Sequence, residues 1–205
     1  GTTSFQLIVN PLPTATISGT TSICSGNNTV ITFNGTPNAV VTYNVNGNPN
    51  QTITLNGAGT NSVTTPNLTA NATYTLVSVL NPVTNCSRNI TGSAVVTVIP
   101  LPTATISGTT TICSGNTTVI TFNGTPNATV TYTVNSGANQ TIVLDGLGSA
   151  TLTTPSLISN TIYSLVSVTL PGTPPCIQSQ TGIATVTILP LPTATISGTT
   201  TICSG

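Results

Sequence analysis

Charge is almost missing from this sequence. Its 205 residues include one Lys or Arg, one Asp or Glu and no His, so charged side chains make up 1%, where ordinary soluble domains carry about a quarter. Besides Cys and Tyr, the ionisable side chains are Arg88 and Asp145. General acid–base catalysis needs a His, Glu, Asp or Lys held against its target, and a nucleophilic site needs a base beside the nucleophile. One Asp supplies neither. The chain therefore reads as not an enzyme, with no catalytic residue and no cofactor. Nucleic-acid binding draws on Lys and Arg to neutralise phosphates, and Arg88 stands alone. Calcium sites take several carboxylates, so no metal site and no metal-stiffened linker is expected. Trp is absent and aromatics are 3%, which leaves no platform on which a sugar ring would stack. Nor does any apolar run approach the ~18 residues of a membrane span, so this segment is not expected to insert into a membrane. A leader peptide is also missing: Gly1 falls inside a repeat, and the chain reads as a window on something longer.

What is present is strand composition. Hydrophobic residues are 37%, mainly Val, Ile and Leu dispersed among Thr in short runs, unlike the charged, apolar-poor signature of a disordered tail. The string from Pro11 to Gly19 recurs from Pro100 to Gly108 and from Pro190 to Gly198, at offsets of 89 and 90 residues. The extra residue lies between Pro171 and Cys176, because Tyr74 matches Tyr163 one register earlier than Cys86 matches Cys176. Self-similarity at a fixed period marks a tandem array. Residues 1–10 align with the last strand of a preceding repeat, 11–99 and 100–189 are complete repeats, and 190–205 start a following one. A period near 89 residues is too long for a solenoid coil and suits a small autonomous domain.

Seven strands are predicted in one copy, at about 14–18, 29–34, 39–46, 51–55, 61–65, 72–80 and 93–99. Apolar residues alternate with Thr and Asn, as in Val41, Tyr43, Val45 or Ala94, Val96, Val98, so each strand buries one face. Asn34-Gly35, Asn46-Gly47 and Asn56-Gly57 are read as supplying the positive φ of tight turns. The fold class is all-β, a seven-stranded immunoglobulin-like β-sandwich repeated in tandem. Tyr74 and Tyr163 each follow an Asn by three residues at the start of a long strand. That placement fits either a tyrosine corner or a core Tyr with an exposed tip. Phe33 and Phe122 are core residues.

The linkers are Pro-Leu-Pro: Pro11 and Pro13, Pro100 and Pro102, Pro190 and Pro192. Proline favours an extended, semi-rigid spacer. An odd number of strands puts the start and the finish of a copy at opposite poles, so the expectation is an extended rod that gains about 40 Å per copy at ~3.3 Å per strand residue.

Five cysteines remain: Cys24, Cys86, Cys113, Cys176 and Cys203. Their long spacings and the lack of His argue against a metal, and structural disulfides in an oxidising, extracytoplasmic setting fit better. Pairing within a copy, Cys24–Cys86 and Cys113–Cys176, would contribute about 4 kcal/mol by loop closure. Strand parity objects, because those turns sit at opposite poles and disulfide Cα atoms must approach within about 7 Å. Two other pairings stay open: Cys86 with Cys113 and Cys176 with Cys203, or Cys24 with Cys176 across neighbouring copies. The Asn-x-Thr triplets at Asn34, Asn67, Asn71, Asn89, Asn123 and Asn127 arise by chance in a chain this rich in Asn and Thr.

The string Pro-Leu-Pro-Thr-Ala-Thr-Ile-Ser-Gly followed by Ile-Cys-Ser-Gly, with Tyr-x-Leu-Val-Ser-Val and a second Cys later in the copy, resembles the immunoglobulin-like or PKD-like tandem repeats of giant Bacteroidota cell-surface adhesins, those of flavobacterial gliding motility above all. The resemblance implies type IX secretion, an extracellular location on the bacterial cell surface, and adhesion coupled to gliding. The function expected is that of a structural repeat in a long extracellular filament or adhesin stalk. The alternative is a glycan-binding module acting through its turn loops. Expected partners are neighbouring repeats of the same chain, like filaments associating side by side through uncharged edges, and external surfaces or polysaccharides.

Overall fold

The computed structural model describes residues 6–204, and among them there is no helix. The chain divides into two compact units. The first runs to Leu101 and also includes Gly172–Cys176; the second comprises Pro102–Pro171 and continues from Ile177.

The first copy contains β1 (Ala15–Ser18), β2 (Thr21–Cys24), β3 (Val30–Gly35), β4 (Val40–Val45), β5 (Gln51–Thr54), β6 (Thr60–Thr64), β7 (Ala72–Asn81), β8 (Cys86–Asn89) and β9 (Ser93–Ile99). One sheet has the order β1-β3-β6; the other has β2-β9-β7-β4-β5, with β8 also on β7. The second copy repeats this plan with β10 (Ala104–Ser107), β11 (Thr110–Cys113), β12 (Val119–Gly124), β13 (Thr129–Val134), β14 (Gln140–Val143), β15 (Ser149–Thr153), β16 (Thr161–Leu170), β17 (Cys176–Ser179) and β18 (Ile183–Leu189). Each copy is an all-β sandwich of immunoglobulin-like type.

The strand count is nine rather than the seven predicted. All seven expected strands are present, and the additional pair is β2 and β8. Both arise because an outer strand is cut in two. At Gly19 the backbone turns to φ 120°, a conformation open to glycine, and a Cβ there would meet the Val30 carbonyl oxygen at 2.7 Å. The break lets β1 pair antiparallel with β3 in one sheet while β2 pairs parallel with β9 in the other. At the far end, β9 runs along Ala72–Thr75 of β7 and β8 along Ser78–Asn81. Between them Leu76 N–H donates to the Gly92 carbonyl and Ile90 N–H to the Val77 carbonyl, both near 3 Å. The two new pieces are four residues each, too short to show alternation.

The core follows the period-2 pattern. In β3 the residues buried are Ile31 and Phe33, and in β9 Ala94 and Val96. Phe33 is fully buried and packs at 4.9 Å, tilted, against Tyr43; Phe122 and Tyr132 repeat this at 5.0 Å. Full burial of such a ring contributes about 2–3 kcal/mol.

The turn assignments hold in one case and fail in two. Asn46 and Gly47 both have positive φ, at 53° and 73°, as a tight hairpin turn between β4 and β5 requires. Asn34-Gly35 instead ends β3, where the Thr14 carbonyl oxygen occupies the place of a Cβ on Gly35. In the Asn56-Gly57 loop it is Gly59, at φ 77°, that takes the left-handed conformation.

Among the described residues, 6–10 and 190–204 belong to no strand. Residues 1–5 of the expected preceding strand lie outside the described residues, and 6–10 are exposed. Residues 190–204 are exposed too, with Ile196 and Ile202 uncovered. In the complete copies the equivalent segments β10 and β11 are held by β12 and β18. No strand equivalent to either lies within the described residues 190–204.

Candidate functional site

The cysteines are the first candidate. Cys24 ends β2 and Cys176 opens β17, and the two form a disulfide with 5.6 Å between Cα atoms across 152 residues of sequence. Of the three pairings open from sequence, the structure contains the one that joins the first copy to the loop Gly172–Cys176, which packs with the first unit. The Pro175 carbonyl oxygen lies 3.6 Å from Cys24 Sγ; a bonded sulfur has no proton to donate, so this is a packing contact. Cys86, Cys113 and Cys203 are free thiols. The Cys86 thiol is directed at the Thr84 carbonyl oxygen at 3.7 Å.

Strand geometry accounts for the failure of the within-copy pairing. In the parallel ladder of β2 on β9, Cys24 stands opposite Ile99. Cys86 opens β8, thirteen residues earlier along the same edge, which is roughly 40 Å at ~3.3 Å per residue. The parity objection was therefore sound. The direct Cys86–Cys113 bond is also absent, both thiols being free, as is Cys176–Cys203.

The linker prolines divide into two kinds. Pro11, Pro100, Pro190 and Pro192 are exposed, whereas Pro13 and Pro102 are buried. The residue after each buried proline is tied to its own sandwich: Thr14 N–H donates to Thr36 Oγ1 and Thr103 N–H to Thr125 Oγ1, each at 2.9 Å. The second proline of each such linker therefore belongs to the domain that follows it, and the free part of the spacer is shorter than the sequence suggests.

Each unit also carries a cleft at the mouth of its sandwich. In the first, of about 480 Å³, the lining includes Val45, Asn46, Gln51, Leu68 and Tyr74. The second, of about 410 Å³, is lined by the equivalents Val134, Asn135, Gln140, Leu157 and Tyr163. Tyr43 donates its hydroxyl proton to Gln51 Oε1 at 3.0 Å, and Tyr132 to Gln140 Oε1 at 3.1 Å. Burial pushes the phenols of Tyr43, Tyr74, Tyr132 and Tyr163 above their ordinary range, and Tyr43 beside Tyr74 adds to the effect there. The tie-down expected of a Tyr hydroxyl is made by the Asn three residues before it. Asn71 Oδ1 accepts from Val98 N–H and Asn160 Oδ1 from Ile188 N–H, both at 2.7 Å.

Arg88 lies exposed on β8. Asp145 is in the loop after β14, where its carboxylate accepts from Leu147 and Ser149 N–H at 2.9 Å. Backbone bonds from Ser149 first and then Leu147 hold its carboxyl below the usual carboxylate range, against an opposing effect of desolvation and with a lesser contribution from Gly148. Asn56 makes the same turn in the first copy, with its Oδ1 accepting from Ala58 and Thr60 N–H. The one carboxylate of the chain is thus a loop cap. Among the described residues no three of His, Cys, Asp or Glu gather where a metal would sit.

No protein-family model matches the chain, and no curated protein matches it in sequence. Solved structures resemble it in fold. A marsupial T cell receptor superposes with a TM-score of 0.59 at 15% identity, over 88% of this chain and 74% of the receptor chain. The I9–I11 tandem of titin aligns at 14% identity with a TM-score of 0.35, over 87% of this chain and 66% of that one. The BSP domain of a biofilm-associated protein aligns at 19% identity with a TM-score of 0.30, over 89% of this chain and 30% of that one.

Proposed function

We propose that this chain is part of a long extracellular filament or adhesin stalk on a bacterial surface, in which each sandwich supplies length and stiffness. One observation carries the reading: the same uncharged sandwich occurs twice, strand for strand, with a Pro-Leu-Pro spacer whose second proline is buried in the following domain. Such a module has no group for chemistry and little free linker. A formed disulfide supports an oxidising compartment. Adhesion and gliding motility, with type IX export, follow from the likeness of the repeat string to SprB, the flavobacterial gliding adhesin. Lateral association of like filaments is supported by the edge strands β5 and β14, which carry no charged residue to discourage pairing. Electron microscopy of the parent protein tests the stalk: a beaded thread is expected, and compact particles would overturn it.

The glycan-binding reading is favoured by one feature, the cleft that recurs in both copies with Gln and Tyr at its wall. A glycan array probed with the 205-residue chain decides between the readings. No binding is expected of a stalk; saturable binding lost when Tyr74→Phe and Gln51→Ala are combined with Tyr163→Phe and Gln140→Ala in the second copy would reverse the preference.

A further inference from the structure

Cys24 and Cys113 are the same position in successive copies, as are Cys86 and Cys176, yet one member of each pair is bonded and the other is free. The surroundings differ in the same sense. Where Cys24 is bonded, it and Ile23 are each 7% exposed; at the equivalent ends of β11, Ile112 is half-buried and Cys113 exposed. Cys176 is 1% exposed, whereas Cys86 is half-buried and Val83, in the loop before it, stands 85% exposed. The free thiols are therefore uncovered copies of a formed junction, with apolar neighbours still open to solvent.

We infer that every second-strand cysteine of this repeat is bonded to the eighth-strand cysteine of the next copy, so that Cys113 pairs with the equivalent of Cys176 one copy further on and Cys86 with the equivalent of Cys24 one copy before. The array is then held by two independent covalent paths, the main chain and a ladder of staples. Each staple forms by thiol–disulfide exchange with a disulfide oxidant such as oxidised glutathione. The Cys113 thiolate attacks the oxidant's S–S bond and expels one thiolate. The second cysteine then displaces the remaining half, and two protein thiols become a disulfide as two oxidant thiols leave. The inference rests on the repeat and not on what the array does at a cell surface. Loss of the staples leaves a filament possible, and a chain that is not a filament can still carry them.

Residues 190–205 repeat 100–115 residue for residue. Appending the sequence of 116–189 after Gly205 therefore completes a third copy and adds one cysteine, the equivalent of Cys176. The protein is refolded with oxidised and reduced glutathione, and thiols are counted after denaturation and alkylation. The present chain has three free thiols, and the longer chain is expected to have two; a rise to four overturns the inference. Cys113→Ser in the longer chain separates the remaining possibility. The count returns to three if Cys113 held the new cysteine, and falls to one if the new cysteine had paired with Cys203 instead, which also overturns it. Far-ultraviolet circular dichroism, unchanged in shape, shows that each variant has folded.

Discussion

The bond between Cys24 and Cys176 can be tested with a tool the sequence supplies. With one basic residue in the chain, trypsin has a single site, after Arg88. Cleavage there, in denaturant, separates Cys24 and Cys86 from the other three cysteines. The two pieces should migrate as one species without reductant and as two with it. Cys24→Ser should part them without reductant, and Cys86→Ser should not. The same substitution measures what the staple does for stability. Chain-entropy closure of a loop of 152 residues amounts to about 5 kcal/mol at 25 °C. With m near 2.5 kcal/mol/M, this displaces the urea midpoint of the unfolding step that frees the loop by roughly 2 M. Fragments that part without reductant in the unsubstituted chain, or a Cys24→Ser midpoint within a few tenths molar of it, would refute the assignment.

Other outcomes follow from the same structure. Phe122→Ala removes a fully buried ring and is expected to destabilise the second unit by about 3–5 kcal/mol, seen as a lower melting temperature for one of two calorimetric transitions. Gly124→Ala sets a methyl group against the Thr103 carbonyl oxygen and should cost about 2 kcal/mol or more, while Gly146→Ala, with nothing within 4 Å, should leave the urea midpoint unchanged. Asp145 has a lowered folded pKa, so its stabilising effect is present above the unfolded value near 4 and is lost as pH falls through the folded one. Melting of the second unit should drop over that acid window, and Asp145→Asn, which copies Asn56, should abolish the dependence. The raised phenols act at the other end: stability present below pH ~10 should fall as pH rises through the folded values, followed by tyrosinate absorbance.

Alternation at Val41, Tyr43 and Val45 or at Ala94, Val96 and Val98 made the central strands legible, because half-burial writes period 2 into any strand long enough to repeat it. The four-residue pieces β2 and β8 repeat nothing, and Thr21-Ser22-Ile23-Cys24 reads equally well as a loop. Asn34-Gly35 misled for a related reason. The pair has turn composition, but its glycine is required by the approach of Thr14, which is distant in sequence. The clefts were invisible because Gln51 and Tyr74 meet only once β4, β5 and β7 are side by side.

Composition and repetition by themselves determined that this chain is a nearly uncharged tandem of all-β repeats, since ionisable side chains can be counted and a period can be measured without knowing where any atom lies. The cysteine pairing was decided by tertiary structure. A disulfide depends on which Cα atoms come within a few ångströms, and that depends on how the first strand breaks at Gly19 and then runs parallel to β9. The break carries Cys24 to the end of the sandwich far from Cys86 and within 5.6 Å of Cys176.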